Sequence, residues 1–112
     1  MRLKSIQLLV GDDGGIIMGK GRMEILESID RTGSINKTSK ELGMSYKSVW
    51  SKIKSTQTHF GRPVVHATRS KGTRLTQEGR TLLERYKQLN QCCIQSDDRH
   101  FEEIFPPDSP EE

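Results

Sequence analysis

Apolar residues recur along the chain with two different periods, and each period predicts its own elements. Alternating apolar residues at positions 6, 8 and 10 predict a half-buried strand. Residues 16 to 18 predict the returning strand of an N-terminal hairpin, because a Gly-Asp-Asp-Gly-Gly turn separates the two segments. Apolar spacings of three and four residues then predict helices over residues 20 to 31, over residues 35 to 42 and from residue 45 to about residue 60.

Small polar residues and a glycine mark the ends of these helices. Ser34, Ser45 and Thr76 stand where helix N-caps are expected, since short hydroxyl side chains accept hydrogen bonds from the first free amides. Gly43 follows the helix over residues 35 to 42 and readily takes the left-handed conformation that ends helices. The two helices joined at Gly43 are therefore predicted to be separated by a tight turn.

The helix that begins after Ser45 has one apolar and one polar face. Tyr46, Val49, Trp50 and Ile53 recur at i, i+3, i+4 and i+7, so we expect all four in the core. On this interpretation the two aromatic residues are structural and do not stack on bases. The opposite, polar face carries Lys47, Ser48, Ser51, Lys52, Lys54 and Ser55.

A second small hairpin and a long helix complete the predicted fold. Val64 and Val65 begin a strand, residues 69 to 72 form a basic turn, and residues 73 to 75 form the returning strand. The last helix, over residues 76 to 96, has a heptad-like apolar seam that contains Leu75, Leu82, Tyr86, Leu89 and Cys93. The sequence thus predicts a mainly α fold with small β-hairpins: a domain over residues 1 to 96 and an acidic, flexible tail over residues 97 to 112.

Charge is distributed unevenly over these predicted elements. The net charge is +3, but residues 1 to 96 hold 17 Lys and Arg against 8 Asp and Glu, and residues 97 to 112 hold 1 against 7. Between residues 37 and 74 there are nine basic residues and a single acidic one, Glu41. This segment is therefore a candidate surface for binding a polyanion.

Composition excludes several classes of protein. A chain of 112 residues is expected to form a single domain, and its longest apolar runs of three residues are too short for a membrane span or a signal peptide. The adjacent cysteines Cys92 and Cys93 fit neither a mutual disulfide nor a zinc site, so we expect a reducing, cytoplasmic location. No catalytic order of residues and no phosphate-binding loop is found, and we predict no enzymatic activity, no metal and no cofactor.

One residue cluster leaves two interpretations open. Cys93, Asp97 and His100 could share one face of a continued helix, which would suit a metal or redox site. No fourth ligand is evident, and cysteine is commonly buried as an apolar residue, so we favour packing of Cys93 in a dimer.

A short helix, a turn containing Gly43, a basic second helix and a basic hairpin follow one another in the order of a winged helix-turn-helix motif. Such a second helix fits the major groove of DNA, and short polar or cationic side chains on it reach base edges. The residues predicted to read the major groove are Lys47, Ser48, Ser51 and Lys52. Those predicted to bind phosphates are Arg69, Lys71 and Arg74 in the wing, and Ser34, Asn36 and Ser45 at helix starts. The alternative interpretations are that the helix is an ordinary solvated surface helix and that the wing is an ordinary charged hairpin tip. The place of both elements within the motif favours DNA contact.

Five segments in this order resemble the N-terminal domain of the ModE-type molybdate-dependent transcriptional regulators. They are GKGR at 19 to 22, IDRTGSI at 29 to 35, LGMSYKSVW at 42 to 50, FGRPVV at 60 to 65 and RLTQEG at 74 to 79. The architecture is more distantly similar to that of LysR-type regulators. The resemblance implies a winged-helix dimer whose recognition helix starts at Ser45, whose wing is the turn at 69 to 72, and whose last helix pairs the subunits. The residues predicted to contact the second subunit are Leu82, Tyr86, Leu89 and Cys93.

The chain also departs from the family. Residues 36 to 39 replace an alanine-rich stretch, the wing looks short, and the acidic tail leaves no room for the oxyanion-binding domains of molybdate sensors. We therefore expect double-stranded DNA and a second copy of the chain as partners, but no molybdate sensing. The alternative function is a winged-helix protein-interaction module with weak, non-specific DNA binding. In either case the acidic tail could inhibit the basic domain or bind a partner protein.

Overall fold

Three short helices and two hairpins form the body of the molecule, and a fourth, long helix extends from it; the computed structural model describes residues 1 to 107. The elements in chain order are β1 (Leu9–Val10), β2 (Ile16–Met18), α1 (Lys20–Thr32), α2 (Ile35–Leu42), α3 (Tyr46–Phe60), β3 (Val65–Thr68), β4 (Gly72–Leu75) and α4 (Gln77–Ile104). β1 pairs with β2 and β3 with β4, in two separate antiparallel sheets. The predicted mainly α fold with small hairpins is confirmed.

The helix ends lie where the capping residues place them. The hydroxyl oxygens of Ser34, Ser45 and Thr76 accept hydrogen bonds from the amides of residues 37, 48 and 79, at 3.1, 3.0 and 2.9 Å. Gly43 adopts the left-handed conformation after α2, with φ at 65°. These caps confirm the predicted boundaries, and they limit the connection between α2 and α3 to residues 43 to 45.

One hydrophobic core joins all four helices. It consists of Met18, Ile25, Leu26, Ile29, Ile35, Val49, Ile53, Val64, Val65, Leu75, Leu83 and Tyr86. A buried polar contact lies beside it, where the hydroxyls of Ser28 on α1 and Thr38 on α2 are 2.9 Å apart. Buried hydroxyls are stable only when hydrogen-bonded, so this pair fixes the position of α2 on α1.

The N-terminal hairpin is present, but its first strand buries the opposite side from the one predicted. Ile6, Leu8 and Val10 are exposed, whereas Leu9 packs against the core. The regular strand is only two residues long, and its register shifts between Leu9 and Val10. A strand so short cannot keep an alternating pattern in register with the sheet, so the spacing at 6, 8 and 10 did not report burial.

Polar contacts attach this hairpin to α3. The hydroxyl of Thr56 donates a hydrogen bond to the carbonyl of Ile17 at 2.8 Å, and the Arg22 guanidinium donates to the Ile16 carbonyl at 2.6 Å. At the end of α3, the ring of His59 lies 2.7 Å from the carboxylate of Asp13 in the hairpin turn. The C-terminal part of α3, from Thr56 to His59, is therefore tied to the hairpin, and Arg22 adds a contact from α1.

Helix α4 begins inside the domain and ends well outside it. Gly79, Leu83 and Tyr86 are buried, whereas α4 continues to Ile104 and does not end at residue 96 as predicted. The acidic segment from residue 97 contains good helix formers and no glycine, and the first proline is Pro106, so polarity alone does not end the helix. Residues 108 to 112 of the predicted tail lie outside the described residues. None of the helices in the described part has the length and apolar character needed to cross a membrane.

Candidate nucleic-acid interface

The outward side of α3 is polar and basic. Val49, Ile53 and Thr56 form its buried side, and Lys47, Ser51 and Lys54 lie on the opposite side, exposed. The last three are spaced by four and three residues, so they form a continuous ridge along the helix. The structure thus brings Lys47 and Ser51 together as predicted, and Lys54, on the same polar face, belongs with them.

The two flanks of this ridge differ. Ser48 and Lys52 lie on the flank toward the N-terminal hairpin, where Lys52 lines a cleft of about 220 Å³. Tyr46 and Trp50 lie on the other flank, together with Gln57, whose side-chain oxygen accepts hydrogen bonds from the amides at the base of the wing, at 3.0 Å and 3.3 Å. The groove-reading residues predicted from the sequence therefore divide between the ridge and the hairpin flank.

The predicted core packing of Tyr46 and Trp50 is wrong. Tyr46 is 51% exposed and Trp50 38% exposed. The buried residues Val49, Ile53 and Thr56, with the partly buried Phe60, centre the inward side of α3 to one side of the aromatic pair, which is left on the flank. The series 49, 53, 56 and 60 was the sequence signal that would have located the buried side.

The wing is anchored to the turn between α1 and α2. The amide of Thr73 donates a hydrogen bond to the Gly33 carbonyl at 3.0 Å. Gly72 has φ at +73°, and a Cβ added there would lie 2.4 Å from the same carbonyl oxygen, so only glycine fits. Beyond this anchor Arg69 and Lys71 are exposed at the tip, and Arg74 is exposed on β4.

The helix starts predicted to bind phosphate are placed differently from one another. Ser34 and Ser45 use their hydroxyl oxygens as acceptors for their own helices, and each keeps its O–H hydrogen to donate outward. Asn36 is exposed in the first turn of α2. All three therefore lie where backbone amides and the positive end of a helix also favour an anion.

Some lysines and arginines of the domain are paired with carboxylates, and in the described part of the chain those of α3 and the wing are not. Arg31, Arg80 and Lys87 form ion pairs with carboxylates within the subunit. Within residues 1 to 107 no such pair is formed by Lys47, Lys52, Lys54, Arg69, Lys71 or Arg74. Basic residues elsewhere in this range, among them Lys4, Lys20 and Arg85, form no such pair either. What distinguishes α3 and the wing is that neither contains an acidic residue, so their positive charge has no compensating charge on the same elements.

The single acidic residue of this basic segment is turned away from α3. Glu41 accepts a hydrogen bond from the Ser28 hydroxyl at 2.5 Å and pairs with Arg31 on α1. The Ser28 hydrogen bond, followed by Arg31, holds the pKa of Glu41 below its ordinary value. Glu41 therefore stays ionised, and its charge is matched by groups of α1.

The residues predicted to pair two subunits do not all lie at the surface. Tyr86 is buried within the subunit, where burial raises its pKa and its hydroxyl donates to the Gln7 carbonyl at 2.7 Å. Leu89 is 43% exposed, and Leu82 and Cys93 are half-buried. Three of the four predicted contacts are thus accessible to a second copy, whereas Tyr86 is not.

The alternative of a metal site around Cys93 finds no geometric support in the described residues. His100 Nδ1 lies 3.8 Å from the carboxylate of Glu103. Within residues 1 to 107 no three His, Cys, Asp or Glu side chains are grouped so that they could hold a metal ion. Cys92 and Cys93 are both free thiols.

Two capped helices joined by a tight turn, a basic outer side on the second helix, an anchored basic wing and a long C-terminal helix define a winged helix-turn-helix DNA-binding domain. A family model described as the lysR family of bacterial regulatory helix-turn-helix proteins matches residues 21 to 80. The chain belongs to this family. Its family and fold are those of regulatory DNA-binding domains, which are typically non-enzymatic.

Curated relatives carry molybdenum-related names. The chain is 33% identical over 81 residues to the molybdenum transport protein ModE of Azotobacter vinelandii, covering 69% of this chain and 30% of the relative. It is 34% identical over 91 residues to the molybdenum-pterin-binding protein MopB of Rhodobacter capsulatus, covering 68% and 34%. The predicted resemblance to ModE-type regulators is confirmed, and the chain spans about a third of the length of these relatives.

Solved structures share the fold. The DNA-binding domain of CbnR in complex with DNA has a TM-score of 0.64 at 17% identity, covering 78% of this chain and 99% of that chain. Full-length LysG from Corynebacterium glutamicum has a TM-score of 0.56 at 22% identity, covering 74% of this chain and 28% of that chain. Both likenesses show a shared fold over about three quarters of this chain.

Proposed function

We propose that this chain binds specific sequences of double-stranded DNA as a homodimer and thereby regulates transcription. The observation that carries the proposal is the group of basic side chains on α3 and the wing that have no ion-pair partner within residues 1 to 107. Neither α3 nor residues 65 to 75 contain an acidic residue that could neutralise them, whereas Arg31, Arg80 and Lys87 pair with carboxylates of α1 and α2. Cations left exposed together on a helix-turn-helix match the phosphate-lined surface of a duplex.

The ridge of α3 would face the bases. Lys47 and Ser51 lie on it, exposed and without a side-chain partner within residues 1 to 107, so they are available to donor and acceptor groups of base edges. Lys54 lies one turn further and would reach base edges or the adjoining phosphates. Ser48 and Lys52, on the hairpin flank, would contact the groove wall on that side.

The wing and the helix starts would fix the orientation of the domain on the duplex. Arg69, Lys71 and Arg74 extend from a hairpin that is tied to Gly33, so their positions relative to α3 are defined. Ser34, Asn36 and Ser45 would add phosphate contacts at the starts of α2 and α3. Phosphate contacts strengthen binding to all DNA sequences equally, whereas the contacts of the ridge with base edges would supply the preference for particular sequences.

Dimerisation would occur through α4. Its 28 residues span about 42 Å at 1.5 Å per residue, but its buried residues end at Tyr86. A helix that continues beyond its domain with Leu89 exposed is stabilised when a second copy covers its apolar positions. Leu82, Leu89 and Cys93 would form this contact.

The proposal is tested by measuring affinity for a selected duplex and for a random duplex at about 150 mM salt. A specific regulator is expected to bind its site at about 10⁻⁸ M or tighter, against roughly 10⁻⁴ to 10⁻⁶ M for random duplex. Replacing Lys47 and Lys52 together by alanine should reduce this preference. Replacing Arg69 and Lys71 together should leave the preference and lower the salt slope by about 1.8, at roughly 0.9 for each phosphate contact.

The matched control removes the same charge elsewhere. Lys4 and Arg99 are exposed and distant from α3 in the sequence, and their double alanine variant is expected to bind both duplexes like the wild type. Equal affinity of the wild type for selected and random duplex would reject the proposal. It would favour the second candidate, a protein-interaction module, which is supported by the exposed apolar residues Ile104 and Phe105 at the end of the acidic helix segment.

A further inference from the structure

Two aromatic side chains are exposed on the helix to which we assign DNA binding. Tyr46 and Trp50 are one helical turn apart, and both lie on the flank of α3 that faces the wing. Within residues 1 to 107 the stacked aromatic pair is Phe101 with Phe105, so neither Tyr46 nor Trp50 stacks on another ring of the subunit. Large aromatic side chains contribute strongly to folding when buried, and leaving two of them in solvent points to an external partner.

The surroundings of this pair identify the partner by its charge. α3 contains three lysines and no acidic residue. Lys47, on the ridge, directly follows Tyr46 in the chain. Near the C-terminal end of α3, on the same flank, the side-chain oxygen of Gln57 already accepts hydrogen bonds from the amides at the base of the wing. The accessible part of the flank is therefore its N-terminal half, next to cations that favour a polyanion.

Inside a major groove, an apolar side chain meets a specific apolar group. Base edges there present hydrogen-bond donors and acceptors, and thymine alone adds a C5 methyl group. Contact with that methyl distinguishes thymine from cytosine without any hydrogen bond. Tyr46 and Trp50 flank the ridge that we assign to the bases, so their rings are placed beside the positions that Lys47 and Ser51 would contact.

We infer that Tyr46 and Trp50 read the C5 methyl groups of thymine, so that the sites this chain selects carry thymine at the positions that the two rings reach. The inference rests on the proposed function and deepens it. The lysines and serines of α3 supply polar contacts, and the aromatic pair supplies apolar selectivity on the wing side of the same helix.

The test replaces thymine by deoxyuridine, which removes only the methyl group. The probe is the tightest duplex that the purified chain recovers from a random 30-base-pair library, synthesised again with uracil at one position at a time. Wild-type affinity is expected to fall roughly fourfold at each position where a ring covers a methyl, on the scale for burying one CH₂ group. Trp50→Ala and Tyr46→Ala should each abolish the discrimination at one position, whereas Tyr46→Phe should retain it.

Lys47→Ala is the matched control on the ridge. It should weaken binding to the thymine and uracil duplexes by the same factor, because it removes a polar contact and leaves the rings in place. Trp50 is the one tryptophan of the chain, so its emission gives a second readout, and we expect quenching on the selected duplex.

Three results would overturn the inference. Equal wild-type affinity for thymine and uracil at every position would leave the proposed function standing and remove the role of the aromatic pair. If Tyr46→Ala and Trp50→Ala both still bound thymine duplexes more tightly than uracil duplexes, the role of the aromatic pair would likewise be removed and the proposed function would stand. Failure to recover any selected duplex would instead reject the proposed function and this inference together. The uracil series uses the wild-type chain, so it decides the question even if an alanine variant does not fold.

Discussion

Gly79 lies at the junction between the wing and α4, and replacing it by alanine is expected to destabilise the domain. A Cβ at this position would lie 2.1 Å from the carbonyl oxygen of Val64 and 2.8 Å from its carbonyl carbon. The same oxygen accepts a hydrogen bond from the amide of Thr76 at 3.0 Å. The backbone of Val64 therefore cannot move away without weakening the start of α4.

The expected loss of stability is the sum of two effects that destabilise the variant and one that stabilises it. Overpacking against a fixed backbone costs about 1 to 3 kcal/mol, and weakening the hydrogen bond of Thr76 costs about 1 kcal/mol. Alanine is the better helix former by about 1 kcal/mol, which offsets the second effect. The free energy of unfolding should thus fall by about 1 to 3 kcal/mol, and the Tm by about 10 °C in the middle of that range.

Urea unfolding of Gly79→Ala and Gly21→Ala, compared with the wild type, tests this expectation. Gly21 lies in the first turn of α1, and a Cβ there would meet nothing within 4 Å, so its alanine variant should be as stable as the wild type or up to about 1 kcal/mol more stable. If Gly79→Ala proved as stable as Gly21→Ala, helix propensity would govern both sites and the close contact with Val64 would be refuted.

Three further changes probe the scaffold and the dimer. Ser28→Ala leaves the Thr38 hydroxyl buried without its partner and should cost about 1 to 3 kcal/mol in urea unfolding; adding Thr38→Val should cost less than the two single changes added together. Because the pKa of Glu41 is lowered in the folded domain, its ionised carboxylate stabilises the domain at pH values above 4.5, the ordinary pKa of the group, and this stabilisation is lost as the pH falls below that value. Glu41→Gln should therefore be less stable than the wild type at pH 7, and the difference should disappear toward pH 3. Leu89→Glu should give a folded monomer by sedimentation, because it places a charge where α4 would meet its copy; a dimer with wild-type affinity would reject that surface.

The starts of α2, α3 and α4 and the end of α2 were predictable because short local signals specify them. Ser34, Ser45, Thr76 and Gly43 act within one turn of the chain, and their capping roles need no tertiary information. The order of elements that these caps define was enough to indicate a winged helix-turn-helix. The polar ridge with Lys47 and Ser51 followed from the same helical periodicity.

The burial of individual side chains on α3 was predicted only in part. Tyr46 and Trp50 fit a helical apolar pattern, but the elements packed on α3 cover the side that bears Val49, Ile53 and Thr56. The series 49, 53, 56 and 60 marks that side in the sequence, but it includes the polar Thr56, so the wholly apolar series 46, 49, 50 and 53 was the more prominent pattern. For this reason the prediction placed both aromatic rings in the core.

Two features of α4, the packing of Tyr86 and the end of the helix, were not predicted from the sequence. The heptad-like seam included Tyr86, but the first half of α4 packs on its own subunit, and Tyr86 faces Gln7 there. The acidic composition after residue 96 suggested a tail, whereas the helix runs to Ile104 because no helix-breaking residue precedes Pro106. Periodicity identifies the apolar stripe of a helix without specifying which protein surface covers it.

The most direct measurement is a selection of genomic fragments by the purified chain at about 150 mM salt, with the double variant Lys47→Ala and Lys52→Ala in parallel. A dimeric regulator that reads DNA through α3 is expected to enrich a palindromic motif, with half-sites one or two helical turns apart, and the double variant should lose that enrichment. Recovery of general duplex alone, identical for the wild type and the variant, would contradict sequence reading by this helix.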